Sequence, residues 1–123
     1  MPSRKKDPPP APMHALAPEA LEQVAEFFQA LSEPSRLRLL NLLREGERKV
    51  GELAELAGST PANVSRHMAL LQSRGLVTRE GRGNCVYYAI ADPAIYQLCD
   101  LVCGAVARHS SERSLHSQRL FGA

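Results

Sequence analysis

Residues 50–77, VGELAELAGSTPANVSRHMALLQSRGLV, read as two helices around a glycine-containing turn. Its first part spaces Val50, Leu53, Ala54 and Ala57 at threes and fours, which is one side of a short helix, and Gly58 supplies the stop. Thr60 and Pro61 then restart a helix. Threonine is an N-cap whose side-chain oxygen accepts from a first-turn amide, and proline follows at the position where its missing N–H costs nothing. The second helix is predicted over 61–74, burying Val64, Met68 and Leu71 and turning Asn63, Ser65, Arg66, His67 and Gln72 towards solvent or its edge. Gly75 caps it. Two helices joined by a short glycine-containing turn make a helix-turn-helix.

Toward the C-terminus, LVTREGRGNCVYYAI (76–90) holds two β-rich runs around Gly81-Arg82-Gly83-Asn84, which predicts a hairpin. Val86, Tyr88 and Ile90 share one face of its second strand, and Cys85, Tyr87 and Ala89 the other. Asp92-Pro93 opens a last helix striped by Ile95, Leu98, Cys99, Val102 and Val106.

Toward the N-terminus, Leu37, Leu39, Leu40, Leu42 and Leu43 form a wide apolar face, predicting a nearly all-buried helix between the break at Ser32-Glu33-Pro34 and the stop at Gly46. Before it, Leu21, Val24, Ala25, Phe28 and Leu31 define an amphipathic helix over 18–31. Residues 1–17 carry five of the nine prolines and the cluster Arg4-Lys5-Lys6, without periodicity, and are expected to be a disordered basic arm. Residues 110–123 are expected to be a polar tail, leaving one domain at 18–109.

The composition agrees with this reading. A chain of 123 residues supports one core, which argues against a multidomain enzyme. Aromatics are 5% with no Trp, so Leu, Ala and Val build that core and favour helices. No apolar run approaches the roughly 20 residues of a membrane span, and residues 1–17 have no apolar signal core, so a soluble cytoplasmic protein is expected. The net charge is only +2, but the basic excess collects in the arm and in residues 49–84. Three cysteines without a CxxC spacing predict reduced thiols rather than a disulfide framework.

The order helix, helix, helix-turn-helix, hairpin, helix gives a mainly α winged helix-turn-helix with a β-hairpin wing. A helix entering the major groove must present short donors and acceptors near its N-terminus, and Asn63, Ser65, Arg66 and His67 do so, with Gln72 further along. Thr60 and the exposed amides of that helix start can hold a phosphate. Arg79 and Arg82 on the hairpin can meet the DNA backbone or minor groove. The plainer reading is a small helical domain whose helix-turn-helix only packs. The joint occurrence of groove helix and basic wing argues against it.

Three segments, SEPSRLRLLNLL (32–43), residues 50–77 above, and REGRGNCVYYAI (79–90), resemble the ArsR/SmtB transcriptional repressors. The resemblance covers about 20–108 and is sharpest at Ser65-Arg66-His67, Leu71 and Gly75-Leu76-Val77. It implies a homodimer built through the first and last helices, binding of double-stranded palindromic operator DNA, and release by a metal, metalloid or thiol-reactive signal. It implies no enzyme activity and no permanently bound cofactor.

Sensor sites vary within this family. The cysteine-rich third-helix pattern is absent, because the matching residues are ELAELAG (52–58). The Asp/His zinc pattern of the last helix is not met around Asp100, and the helix between Pro34 and Gly46 has no cysteine to pair with the last. Cys85, Cys99 and Cys103 remain. Cys99 and Cys103 are four apart, so their Cβ atoms lie roughly 5–6 Å apart on one helix face. Taking Ile95 as zero, Cys99 falls near about 40°, inside the apolar stripe, and Cys103 near about 80°, at its edge. Cys103 is therefore the more accessible thiol.

Each cysteine alone can be read as a small buried hydrophobe. Trivalent arsenic prefers thiolates to oxygen or imidazole. A subset of the family resembling this chain carries a wing cysteine and a last-helix cysteine and senses trivalent organoarsenicals. Cys85 and Cys103 match it best, and Cys99 can complete an inorganic arsenite site. The expected effector is thus arsenite or a monomethyl arsenical. Cross-linking wing to last helix would change the angle between two recognition helices and weaken DNA binding by linkage. The alternative within the fold is a thiol redox or persulfide-responsive repressor. A cysteine-nucleophile enzyme lacks a histidine in obvious reach of a thiol, and a protein-only interaction module is the remaining alternative.

Overall fold

The computed structural model describes residues 12–111 and 119–120. Helices α1 (Pro18–Ala30) and α2 (Pro34–Leu42) lead through a two-residue strand β1 (Arg48–Lys49) into α3 (Val50–Ala57) and α4 (Pro61–Ser73). A hairpin of β2 (Val77–Arg82) and β3 (Cys85–Ile90) follows, and then α5 (Ala94–Ser111). The helix-turn-helix forms as its sequence dictates. Gly58 takes the left-handed conformation, φ 63° and ψ 39°, and the Ser59 amide reaches back to the Ala54 carbonyl at 2.8 Å, the hydrogen bond of a Schellman stop. Thr60 Oγ1 accepts from the Asn63 amide at 3.1 Å, and Pro61 occupies the first turn of α4. At the other end, the Leu76 amide donates to the Leu71 carbonyl at 2.9 Å.

The core joins Leu39, Leu40 and Leu43 of α2 and its end to Leu53 of α3, Val64, Met68 and Leu71 of α4, Val77 and Tyr88 of the sheet, and Ile95 of α5. The hairpin turns on Gly83-Asn84, with Arg82 opposite Cys85. Gly83 at φ 59° is the first loop residue, where a two-residue turn requires a positive φ.

Two expectations are corrected. The sheet has three antiparallel strands, ordered β1-β3-β2, because Arg48 and Lys49 pair with Tyr88 and Tyr87. Two charged residues carry no alternation, so nothing local announces that strand; β3 recruits it. The second helix ends at Leu42 rather than near Gly46, and its face is not wholly buried: Leu37 is 40% exposed and turns towards α5. Within the expected arm, Met13–Ala15 form a 3-10 turn; residues 1–11 lie outside the described residues. Helix α5 continues to Ser111, two residues into the expected polar tail, most of which also lies outside the described residues.

No helix among the described residues is long and apolar enough to cross a membrane. Burial is incomplete on one side. Leu21 and Phe28 of α1, and Leu101, Val102 and Val106 of α5, remain exposed, Leu101 by 71%.

Candidate nucleic-acid interface and thiol site

Helix α4 presents a polar surface at its N-terminal half because Val64, Met68 and Leu71 commit the opposite side to the core. Ser65, Arg66 and Gln72 are exposed. Arg66 Nη2 donates to Asn63 Oδ1 at 2.6 Å, one turn back, which holds the guanidinium over the start of the helix. Ser35 and Arg38 of α2 meet Ser59, Asn63, Arg66 and His67 around an open cavity of about 260 Å³. His67 is more enclosed than the spacing suggests. Its side chain is 17% exposed, with Nε2 3.8 Å from Glu33 Oε1 and Nδ1 3.5 Å from Arg36 Nη1.

Arg36 was not legible as special from its sequence context. It is buried, donating from Nε to the Ala30 carbonyl at 2.7 Å and from Nη2 to the Gln29 carbonyl at 3.3 Å, with Glu33 3.1 Å from Nη1. It therefore fixes the end of α1 to α2 and supports the ring of His67. The only available signal was an arginine in the first turn of an otherwise apolar helix.

The two wing arginines differ. Arg79 is exposed and enters no ion pair among the described residues. Arg82 Nη2 lies 2.6 Å from Glu47 and 2.8 Å from Glu80, and its guanidinium stacks 4.3 Å from the Tyr87 ring centre. Hydrogen bonds to Glu47 and then Glu80 raise the Arg82 pKa further, and the same pairing lowers that of Glu80.

The thiols divide two and one. Cys99 and Cys103 line a cavity of about 210 Å³ together with Phe28 and Leu31 of α1, Leu37 of α2, and Leu98 and Val102 of α5. Cys103 is exposed and Cys99 half-buried, the order expected from the helical stripe. Burial, followed by the neighbouring Cys103, pushes the Cys99 thiol pKa up against the opposing pull of Arg44. Cys85 opens β3 at the wing turn and does not line that cavity. No group of three or more His, Cys, Asp or Glu side chains among the described residues is placed to hold a metal ion, so the three thiols are not gathered within one protomer.

The helix carrying the pair is anchored beside it. Arg44, just beyond α2, lies 2.6 Å from Asp100 and 4.4 Å from the Tyr96 ring centre, and Tyr96 Oη donates to the Leu40 carbonyl at 2.7 Å. The Asp100 hydrogen bond raises the Arg44 pKa, and burial raises that of Tyr96. Displacement of α5 would thus be felt by α2, which packs on both α3 and α4.

This arrangement has close relatives. The profile described as "Bacterial regulatory protein, arsR family" matches residues 33–79. The chain is 39% identical over 90 residues to the uncharacterized HTH-type transcriptional regulator Rv0081 of Mycobacterium tuberculosis, an alignment spanning 72% of this chain and 79% of that one. The chain belongs to the arsR family. It is 35% identical over 97 residues to the HTH-type transcriptional repressor SmtB of the same organism, covering 79% of this chain and 69% of the relative. The crystal structure of Rv0081 superposes with a TM-score of 0.71 at 36% identity, over 80% of this chain and 98% of the other. The homodimeric winged helix-turn-helix domain of Mb0332 from Mycobacterium bovis, solved by NMR, gives 0.67 at 34% identity over 85% and 98%. This arsR-family chain is accordingly a winged helix-turn-helix transcriptional regulator and not an enzyme.

Proposed function

We propose that this arsR-family regulator is a homodimeric repressor that binds palindromic operator DNA in the cytoplasm and is released when trivalent arsenic binds its cysteine thiolates. The observation that carries the effector assignment is the pair Cys99 and Cys103 on one cavity wall, against α1 and α2. Soft thiolates select arsenic(III) over oxygen-seeking cations.

In the DNA-bound state, Asn63, Ser65, Arg66 and Gln72 read base edges from α4 with His67 at its margin, Thr60 and the first amides of α4 take a phosphate, and Arg79 and Arg82 lie along the backbone from the wing. The exposed apolar residues of α1 and α5 form the dimer interface. Arsenite takes Cys99 and Cys103 and draws in Cys85 as third thiolate. Because Cys85 is not gathered with the other two beforehand, recruiting it moves the wing relative to α5, and the arsenic-bound form prefers the DNA-free geometry.

Operator binding by Cys85→Ser and Cys103→Ser tests this. Both variants should hold the operator like the parent and no longer release it with arsenite. A double variant that still responds overturns the assignment.

A further inference from the structure

We infer that the groove between α1 and the C-terminal end of α4 binds a small apolar α-amino acid, with Arg74 holding its carboxylate, Glu26 its ammonium group, and Leu70 and Phe27 its side chain. The site shares no residue with the thiols or with the DNA-facing half of α4, so it stands or falls apart from the arsenic reading.

Arg74 carries the argument. It follows α4 and is half-buried. Its Nε is buried without a hydrogen-bond partner among the described residues, a state that native structures seldom leave without a cause. A buried donor left unmet costs stability until an acceptor reaches it, and a carboxylate has two oxygens that fit the guanidinium fork. Arg74 lines two adjoining cavities, of about 270 and 390 Å³. Glu26 lines both as well, yet no ion pair joins it to Arg74 among the described residues. One groove thus presents a cation and an anion that do not satisfy each other.

That pairing of charges selects the ligand. A simple anion on Arg74 would face the Glu26 carboxylate, and a simple cation on Glu26 would face Arg74. A zwitterion meets both charges and leaves the groove neutral. The other polar groups do not compete for it. Arg36 lines the first cavity, but Glu33 lies 3.1 Å from its Nη1, and its Nε and Nη2 donate to the carbonyls of Ala30 and Gln29. Ser73 Oγ donates to the Leu70 carbonyl at 2.7 Å. Leu70 lines one cavity and Phe27 the other, both partly buried against the core, and they give the ligand's side chain an apolar surface. Each cavity exceeds the roughly 150 Å³ known to admit benzene.

The groove lies away from the surfaces already assigned. At about 100° per residue, Glu26, Ala30, Gln23 and Phe27 fall between about 140° and 240° around α1 from Leu21, whereas Phe28 falls within about 20° of it. The exposed apolar face of α1 therefore points away from the groove.

Full-length ¹⁵N-labelled protein would be titrated with L-leucine, with 4-methylpentanoate, which lacks the ammonium group, and with 3-methylbutylamine, which lacks the carboxylate, following the Arg74 Nε–H resonance. Leucine should shift that resonance saturably, and each analogue should bind about tenfold more weakly or worse, the loss expected for one charged hydrogen bond. Arg74→Met and Glu26→Gln should each weaken leucine binding, read by calorimetry, to the same extent. Neither should lower the urea midpoint of the ligand-free protein, because neither side chain has a partner in the fold. A midpoint that falls in both variants means that the two side chains pair with each other, and overturns the inference. Equal binding of leucine and 4-methylpentanoate also overturns it, reducing the site to a carboxylate contact, as does the lack of any saturable shift with leucine. The comparison of ligands on the parent protein needs no variant to fold. Replacing Cys85, Cys99 and Cys103 by serine should leave leucine binding unchanged, and loss of it there would overturn the placement.

Discussion

Arg82 at the end of β2 is held by Glu47 of the α2–β1 connection, with Nη2 2.6 Å from the carboxylate, so the wing is tied to the body of the domain by an exposed ion pair. Glu80 shares the same guanidinium at 2.8 Å. A phosphate approaching Arg82 must compete with two carboxylates, whereas Arg79 meets no such competition. Arg79→Ala should therefore lower operator affinity and reduce the salt slope by about one, and Arg82→Ala should do less of both. Binding measured at several salt concentrations checks this, and a larger loss for Arg82→Ala would reverse the roles.

Arg36 should be the most costly polar side chain to remove. It is 9% exposed and satisfies the carbonyls of Gln29 and Ala30 while pairing with Glu33. Arg36→Ala should destabilise the fold by about 2–4 kcal/mol. Arg36→Lys should recover only part of this, because an ammonium cannot reproduce the planar fork. Denaturant midpoints report the difference, and an Arg36→Ala loss under about 0.5 kcal/mol, the range of an inert surface site, would contradict the account.

Thr60→Ala removes the side-chain cap of α4 and should cost about 1 kcal/mol, with Thr60→Ser restoring most of it. The same unfolding experiment decides this. Equal stability of the alanine and threonine proteins would mean that water replaces the cap.

The half-buried Cys99 thiol has a raised pKa, from burial first. In Cys103→Ser, iodoacetamide labelling of Cys99 should keep accelerating above pH of about 8.5, the ordinary thiol value. The linkage has a definite sign. A pKa higher in the folded state means that its contribution to stability is complete below the unfolded value and is lost as pH rises through the folded one. A labelling rate that levels off below the ordinary thiol value would show a thiolate favoured at this position.

Most of the fold was legible because its punctuation is local. Gly58, Thr60, Pro61 and Gly83 each do in the structure what their chemistry requires, and the apolar spacing of α4 put Val64, Met68 and Leu71 inside. Strand β1 was not legible, because its two charged residues pair only where β3 is already in place. Leu37 departs from the core because helical spacing reports which residues share a face and not what that face meets; here it meets α5 and the thiol cavity. At the site, the ordering of Cys99 and Cys103 followed from the helical stripe. The engagement of Arg82 by Glu47 and of His67 by Glu33 and Arg36 links residues distant in the chain, which no periodicity reports.

The proposed function is that of an operator-bound dimer released by thiolate-bound trivalent arsenic. Its most direct test is fluorescence anisotropy of the reduced protein on its own upstream DNA at fixed salt, titrated in parallel with arsenite, zinc and persulfide. Tight binding, release by arsenite and no response to zinc are expected. Release by zinc or persulfide with no response to arsenite would contradict it.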